Sequence, residues 1–177
     1  TYTMFAVSRM NGGTNARLIA SQSTNWLFGF HSGTKGDMYG NAWIYDGATA
    51  ADAVQHLYEV ESNSNVAGGT KFYEAGTQIT GGTPAGGGQT TTAGNPNGPG
   101  VIELNGYSSG AEISSGEVAE ILYFNKVLTA SERQVIEGYL GTKYAINSVP
   151  LASLQAYQAA YTASSAGTAN TINLLGS

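Results

Sequence analysis

Residues 1–124 consist of short runs in which apolar and polar residues alternate, separated repeatedly by Gly, Asn, Ser and Thr. This pattern restricts the possible folds more than any other feature of the chain. In one such run Trp26, Phe28 and Phe30 share a face, while Leu27 falls on the other. Because side chains alternate across a strand, this period predicts an all-β fold of two packed antiparallel sheets. The predicted strands are 3–10, 17–21, 25–31, 38–45, 54–62, 70–74, 78–80, 101–104 and 117–124.

Two short motifs predict one hairpin and one helix. The hairpin covers residues 71–79 and turns at an Ala-Gly pair. Thr129 and Glu132 have the spacing of a capping box, in which each side chain satisfies a free backbone amide of the other residue. An apolar stripe follows, and Gly141 is a residue type that ends helices. The sequence therefore predicts one short capped helix over 129–140.

Two segments depart from the strand rhythm. Residues 81–100 are rich in Gly and Pro and hold no large apolar residue, so we expect a long surface loop. The segment 147–177 carries leucines and tyrosines at helical spacing in its middle and a strand-like run at 171–175. We predict a sandwich domain over 1–146 and a partly helical tail over 147–177. Because a short isolated helix needs a surface, we expect this tail to contact neighbouring subunits of an oligomeric assembly.

Composition excludes several classes of function. Only 11% of the 177 residues are charged, the formal net charge is −5, and the chain holds seven Lys and Arg in all. No basic patch is available for phosphates, which argues against nucleic acid and anionic membrane surfaces as partners. No apolar run reaches the length of a membrane span, so we predict no membrane insertion. The absence of Cys excludes disulfides and thiolate-bound metals.

Several motifs, in order along the chain, resemble the laminin G-like, concanavalin A-like lectin and glucanase family. The longest is the Gly-Glu-Val-Ala-Glu strand that leads into the capped helix and a Glu-Gly-Tyr-Leu element. The matching segments are 3–9, 25–31, 56–60, 72–76 and 116–146. The resemblance implies a jelly-roll β-sandwich with the capped helix packed at one end. The fold serves lectins, adhesion modules, hydrolases and outer parts of phage or secreted bacterial proteins, so the resemblance implies an extracellular or virion-surface location.

Glycan hydrolysis needs two carboxylates that flank the scissile bond. Glu59 and Glu61 share a strand face but lack the third acidic residue of the hydrolase branch. Glu117 and Glu120 are three residues apart, so a regular strand directs them to opposite faces. We predict that all four are solvated carboxylates and that the chain is not an enzyme.

The string Gly-Tyr-Ser-Ser-Gly at 106–110 matches the nucleophile elbow of α/β-hydrolases. That motif requires a following helix and a histidine later in the chain. His31 and His56 both precede Ser108, and the predicted helix begins only near residue 129. The string therefore indicates a turn between strands.

The acidic residues around the predicted 38–45 strand suggest a metal site. Relatives of the family hold calcium through Asp, Asn and backbone oxygens at the sheet rim. Asp37 and Asp46 are the candidate ligands, with Asn41 and Asp52 nearby, although they form no dense ligand run. The sequence implies no organic cofactor and leaves calcium as the candidate metal.

Sugar recognition requires aromatic rings that cover apolar sugar faces, with amide or carboxylate groups beside them. Tyr39, Asn41, Trp43 and Tyr45 alternate along one strand and are predicted to share a face, which makes them the candidate ligand-binding residues. Trp26 belongs to the core-like strand, and burial of Trp43 in the same core is the competing interpretation.

These observations predict a non-enzymatic surface module for adhesion or glycan binding, displayed on a large assembly such as a phage particle or a secreted bacterial structure. Its partners would be glycans or neighbouring protein subunits. Two alternatives remain: a purely structural or decoration protein of a virion or filament, and a degenerate glycoside hydrolase.

Overall fold

The computed structural model describes residues 1–40, 43–63, 69–79, 98–108 and 110–165. Two antiparallel sheets, of five and six strands, form a β-sandwich, and the first of two C-terminal helices packs on the five-stranded sheet. The strands are β1 Tyr2–Met10, β2 Ile19–Ser21, β3 Trp26–His31, β4 Thr34–Gly40, β5 Trp43–Tyr45, β6 Thr49–Ala50, β7 His56–Ser62, β8 Thr70–Glu74, β9 Thr77–Gln78, β10 Ile102–Leu104 and β11 Gly116–Phe124. The helices are α1 Ala130–Tyr144 and α2 Leu151–Ser165.

The five-stranded sheet has the order β11-β1-β7-β8-β9, and the six-stranded sheet has the order β10-β2-β3-β4-β5, with β6 paired to β4. All neighbouring strands run antiparallel. The hairpin predicted over 71–79 is confirmed, because Ala75 and Gly76 form its turn with φ values of 47° and 80°. Both left-handed conformations are those of a type I′ turn, which matches the twist of the strands it joins.

The main core lies between the two sheets and follows the predicted alternation. The inward side chains of β3 are those of Trp26, Phe28 and Phe30, and each is fully buried. The indole Nε1 of Trp26 donates a hydrogen bond of 3.0 Å to the hydroxyl of Tyr2, so its one polar atom is satisfied inside the core. The predicted burial of Trp26 is confirmed.

A second apolar layer lies between the five-stranded sheet and α1. The capping box is confirmed: the Thr129 hydroxyl accepts from the Glu132 backbone, and the Glu132 carboxylate accepts from the Thr129 backbone. The helix does not end at residue 140 as predicted, but continues to Tyr144 with Ala145 as its left-handed cap. Gly141 instead lies inside the helix, where a Cβ would meet the Val149 side chain at 2.7 Å. This glycine permits close packing rather than termination.

The tail helix α2 lies on α1 of the same chain. Gly138 is the contact point, because a Cβ there would come within 2.6 Å of the Tyr157 Cβ and would collide with the Ser153 carbonyl oxygen. Val149 and Ser153 are buried. The predicted helix at 151–163 is confirmed, but the chain's own α1 supplies its surface, and this corrects the expectation that a neighbouring subunit does so. Subunit contacts of the tail stay a prediction, and the predicted strand at 171–175 lies outside the described residues.

The strand predicted over 38–45 consists of two antiparallel strands, β4 and β5. Of the long loop predicted over 81–100, only residues 98–100 belong to the described part of the chain. None of the described helices combines the length and the hydropathy needed to cross a membrane.

Candidate functional site

Two β-bulges decide which side chains the six-stranded sheet presents on each of its faces. Between β3 and β4, Gly29 pairs with Asp37 but Phe30 pairs with Lys35, so Gly36 is an extra residue with φ of 79°. Between β4 and β5, Met38 pairs with Tyr45 but Tyr39 pairs with Trp43. Ile44 is therefore a second extra residue, and each bulge reverses the faces of the residues beyond it.

The bulge at Ile44 separates Trp43 from Tyr45. Trp43 and Tyr39 are opposite each other on the outer face, away from the second sheet. Tyr45 is opposite the buried Met38 and packs inward, with its ring centroid 6.4 Å from that of Phe72. The predicted common face for Tyr39, Trp43 and Tyr45 is wrong for Tyr45, because a one-residue insertion reverses the alternation. Asn41 lies outside the described residues.

Tyr39, Trp43 and His31 form what we call the aromatic face. The rings of Tyr39 and Trp43 meet edge to face, with centroids 5.2 Å apart and planes at 81°. The His31 ring lies 5.4 Å from Trp43 on the side of β3. All three side chains are partly exposed. Burial, followed by the positive charge of Arg17, lowers the pKa of His31, so this imidazole is neutral at physiological pH and one ring nitrogen can accept a hydrogen bond.

A hydrogen-bonded polar rim adjoins His31. The buried Arg17 guanidinium donates to the Glu112 carboxylate and, at 2.8 Å, to Asn25 Oδ1. It also stacks 4.0 Å from the Tyr107 ring centroid. Glu112 Oε2 lies 3.7 Å from His31 Nε2, so the rim and the aromatic face are continuous. No local sequence pattern predicts this rim, because Arg17 and Glu112 are 95 positions apart.

Asp37 has a structural role that the metal prediction did not foresee. Its side chain is fully buried, and its oxygens accept hydrogen bonds from the Gly47 backbone at 2.8 Å and the Thr34 hydroxyl at 3.1 Å. Burial raises the pKa of Asp37 to about 7 despite these bonds, with a further contribution from the charge of Asp46. Among the described residues, no three His, Asp or Glu side chains are grouped to hold a metal ion. Asp37 and Asp46 thus gain no third acidic or histidine ligand from this part of the chain.

The predicted solvated carboxylates on β7 are buried, and this is a correction. Glu59 and Glu61 do share a face, but both side chains are buried, because this face of the sheet packs against α1. Glu61 accepts from the Tyr73 hydroxyl at 2.9 Å and pairs with Lys71 at 3.0 Å. Glu59 accepts from the Gly76 backbone at 2.7 Å. The alternation was predicted correctly, whereas the helix that covers this face was not foreseen from local sequence.

Glu117 and Glu120 lie on the same face of β11, contrary to the prediction. A bulge between the pairs Val7–Glu120 and Ser8–Val118 inserts Ala119 and brings both carboxylates to the helix side. Each has its own cation: Arg9 for Glu117 at 2.6 Å and Lys143 for Glu120 at 2.9 Å. Burial opposes ionisation of Glu120, but hydrogen bonds from Lys143, Tyr144 and Tyr139 lower its pKa.

A polar cluster that sequence analysis missed joins the two sheets at their rim. His56 on β7 bonds the carboxylates of Glu74 and Asp52 through its two ring nitrogens, at 2.7 and 2.8 Å. Lys35 on β4 pairs with the same Asp52. Although burial opposes it, the hydrogen bonds to Glu74 and Asp52 raise the pKa of His56. Ser108, by contrast, sits in a tight turn closed by a Tyr107–Ala111 bridge, as predicted for the Gly-Tyr-Ser-Ser-Gly string.

Comparisons with known proteins add similarity of fold only. No protein-family model matches the chain, and no curated protein sequence matches it. Among solved structures, similar chains include a mutant Trypanosoma rangeli sialidase with trans-sialidase activity (18% identity, TM-score 0.42), that sialidase with the inhibitor DANA (15%, 0.41) and the sialidase itself (19%, 0.38). Each match covers 73% of this chain and 21% of the sialidase chain. The chain thus spans about a fifth of the sialidases' length, and the likeness is too distant to indicate activity.

Proposed function

We propose that this chain is a non-enzymatic carbohydrate-binding module of the concanavalin A-like, laminin G-like type, and that it holds glycans on the aromatic face. The observation that carries the proposal is the Tyr39–Trp43 ring pair, partly exposed on the outer side of the six-stranded sheet. Aromatic rings bind the apolar C–H faces of sugars, and two planes at a steep angle offer a corner for one ring.

The polar rim supplies the second requirement of sugar recognition, which is a set of fixed hydrogen-bonding groups. His31 stands beside Trp43, Glu112 lies next to His31, and both polar side chains reach solvent. Arg17 holds Glu112 and Asn25 in place from below, so these groups lose little conformational freedom when a ligand binds. Rigid polar groups next to aromatic rings favour specific binding over nonspecific hydrophobic association.

The partners of the acidic residues support a binding role rather than a catalytic one. Glycosidases need two carboxyls about 5 to 9 Å apart on either side of an accessible bond. Glu59 and Glu61 are buried, and Glu117 and Glu120 each hold a cation. We expect no hydrolysis of laminarin-like or agar-like polysaccharides. Turnover that disappears in Glu59→Gln or Glu61→Gln would contradict the non-enzymatic assignment.

A purely structural role in a virion or filament is the second candidate. Leu151 and Tyr161 on α2 are 68% and 53% exposed, which is unusual for large apolar residues and suits contact with a neighbouring subunit. Either role fits an extracellular or virion-surface location within an oligomeric assembly. A glycan-binding module needs the aromatic face, whereas a decoration protein needs the exposed side of α2.

The deciding experiment is a glycan array probed with the purified chain and with two variants. We expect Trp43→Ala to abolish binding and Tyr123→Ala to leave it unchanged, because Tyr123 is an exposed aromatic residue on β11 in the other sheet. Equal binding by Trp43→Ala and the parent chain would overturn the proposal. Absence of any binding, together with loss of assembly in Leu151→Ser/Tyr161→Ser, would favour the structural role.

A further inference from the structure

The two bulges of the six-stranded sheet aim two side chains at one groove between the sheets. In a ladder without this bulge Gly36 would pair with Phe30 and Lys35 would point outward with His31, but because Gly36 is an extra residue, Lys35 pairs with the inward Phe30. If Ile44 were a regular paired residue of β5, Tyr45 would share the outer face of Trp43. The groove has a volume of about 130 Å³ and is lined by Lys35, Tyr45 and the side chain of Glu74 from the other sheet. Bulges that redirect side chains are common beside binding and active sites.

The charged groups of this inter-sheet groove are held in place from behind. His56 bonds one oxygen of Glu74, and Asp52 bonds both His56 and Lys35. Each ring nitrogen of His56 faces a carboxylate, which can only accept. Both nitrogens therefore donate, and the ring is the positively charged imidazolium. The second oxygen of Glu74 bonds no residue in the described part of the chain, and Lys35 has donors beyond the one that Asp52 takes.

We propose that the inter-sheet groove is a second carbohydrate site, which binds a single neutral sugar unit by stacking on Tyr45 and by hydrogen bonds to Lys35 and Glu74. This inference goes beyond the function proposed for the aromatic face, because Tyr45 and Trp43 lie on opposite sides of β5. The cavity corresponds to about four waters at roughly 30 Å³ each, which limits the ligand to one ring or part of one.

The charge balance selects a neutral ligand over an acidic one. The four charged groups are two cations, Lys35 and His56, and two anions, Asp52 and Glu74. Lys35 and His56 are already paired with carboxylates, and Glu74 is exposed beside them. The repulsion between Glu74 and an acidic ligand would therefore offset the attraction of the two cations. Sugar hydroxyls can donate to Glu74 and accept from Lys35 without disturbing either pair.

Backbone geometry fixes the walls of the groove. Gly47 approaches β4 so closely that a Cβ would collide with the Lys35 carbonyl oxygen. Gly36 adopts φ of 79°, and a Cβ there would stand 3.9 Å from the Tyr45 ring, inside the proposed binding space. A methyl group at residue 36 would therefore strain the bulge and fill the groove together.

The test is an NMR titration of the ¹⁵N-labelled chain with neutral methyl glycosides (glucose, galactose, mannose and N-acetylglucosamine) and with N-acetylneuraminic acid. We expect at least one neutral glycoside to cause saturable shifts at the amides of Lys35, Gly47 and Thr49, and the acidic sugar to cause none there. Glu74→Gln, which preserves shape, and Lys35→Gln should each weaken this binding by at least fivefold.

Two further variants separate this site from the aromatic face. Trp43→Ala should leave the groove shifts intact even if it abolishes array binding, whereas Gly36→Ala should remove them. The proposal is overturned if no neutral glycoside shifts the groove amides in a saturable way. It is also overturned if folded Glu74→Gln and Lys35→Gln bind as the parent does, or if Trp43→Ala removes the groove shifts.

Discussion

The carboxyl groups of Glu59 on β7 and Glu137 on α1 lie beside each other between the sheet and the helix, with only 0% and 1% of their surfaces exposed. Arg133 Nε lies 3.8 Å from one carboxyl and 3.2 Å from the other, so one cation serves two acids. Within the described part of the chain, Glu59 Oε2 and Glu137 Oε1 find no hydrogen-bond donor. A proton on Glu59, whose pKa burial raises, supplies a donor between the two carboxyls and removes the excess negative charge.

This pair makes folding stability depend on pH. Burial, and then the charge of Glu137, raises the pKa of Glu59 well above its ordinary 4.5, so the folded state keeps a proton that the unfolded state releases. The stabilisation is fully present below pH 4.5 and is lost as the pH rises through the folded pKa. Glu59→Gln should therefore remove this decline and make the chain more stable than the parent under alkaline conditions. Urea unfolding of the parent chain and of Glu59→Gln between pH 4 and 9 measures how the stability of each depends on pH, and parallel slopes would contradict a proton on Glu59.

The capping box allows a test of the start of α1. Thr129→Ala should lower the free energy of unfolding by about 1 kcal/mol, because the Glu132 backbone amide loses its acceptor. Glu132→Ala should cost somewhat less, although it also loses the 2.7 Å contact with Lys126. Thermal unfolding by circular dichroism provides the measurement. Unchanged melting temperatures in both variants would show that the box does not hold the helix.

Gly138→Ala opposes intrinsic helix propensity and tertiary packing. In an isolated helix this change adds roughly 1 kcal/mol of stability. Here the new methyl group would collide with the Ser153 carbonyl oxygen, so α2 has to move away from α1. We expect a net loss of stability, whereas the control Thr142→Ala on the exposed side of α1 should be neutral or slightly stabilising. A gain in Gly138→Ala would show that α2 is not seated at this glycine.

Removal of residues 148–177 should destabilise the sandwich, in contrast to what the sequence predicts. The truncation exposes Gly138 and Gly141 and removes the buried Val149 and the Ser153 bond to Glu137. Burial of one aliphatic side chain alone contributes about 1.5–3 kcal/mol, so a clear drop in melting temperature is expected. A chain that ends at residue 165 keeps α2 and is the matched control. Equal melting temperatures for the two truncated chains would mean that α2 contributes nothing to the fold.

The two tryptophans should differ in their effect on stability. Trp26→Ala removes a fully buried indole and should cost about 3–5 kcal/mol. Trp43→Ala truncates a partly exposed side chain on the aromatic face and should cost distinctly less. Chemical denaturation of both variants measures the difference. Equal costs would place Trp43 in the core and remove the basis for a sugar platform.

Sequence periodicity predicted the elements whose partners are local. The β3 core face, the Ala75-Gly76 turn and the Thr129–Glu132 box each depend on residues a few positions apart, and the structure confirms all three. What failed depends on insertions that no local pattern marks. The bulges at Ile44 and Ala119 reverse the faces of the side chains beyond them, and neither Ile nor Ala is a residue type that predicts a bulge.

Long-range packing explains the other differences. Glu59 and Glu61 have the sequence pattern of surface residues, but α1, over 70 positions later, lies against Glu59, and Tyr73 and Lys71 of β8 contact Glu61. From local sequence Gly141 resembles a helix terminator. Its role is instead close contact with Val149, which only the tertiary structure shows. The same is true of the rim around Arg17 and of the His56 cluster, whose members are distant in sequence.

The bulge at Ile44 has a consequence for how this protein tolerates length changes. Deleting the extra Ile44 would restore a regular ladder in which Trp43 stays outward and Tyr45 stays inward, whereas deleting either aromatic residue would bring Ile44 into the ladder in its place. Substitutions can therefore adjust either surface separately, because the opposite faces of the two rings depend on the single extra residue between them. Libraries that diversify binding should vary side-chain identity in β5 and keep its length constant.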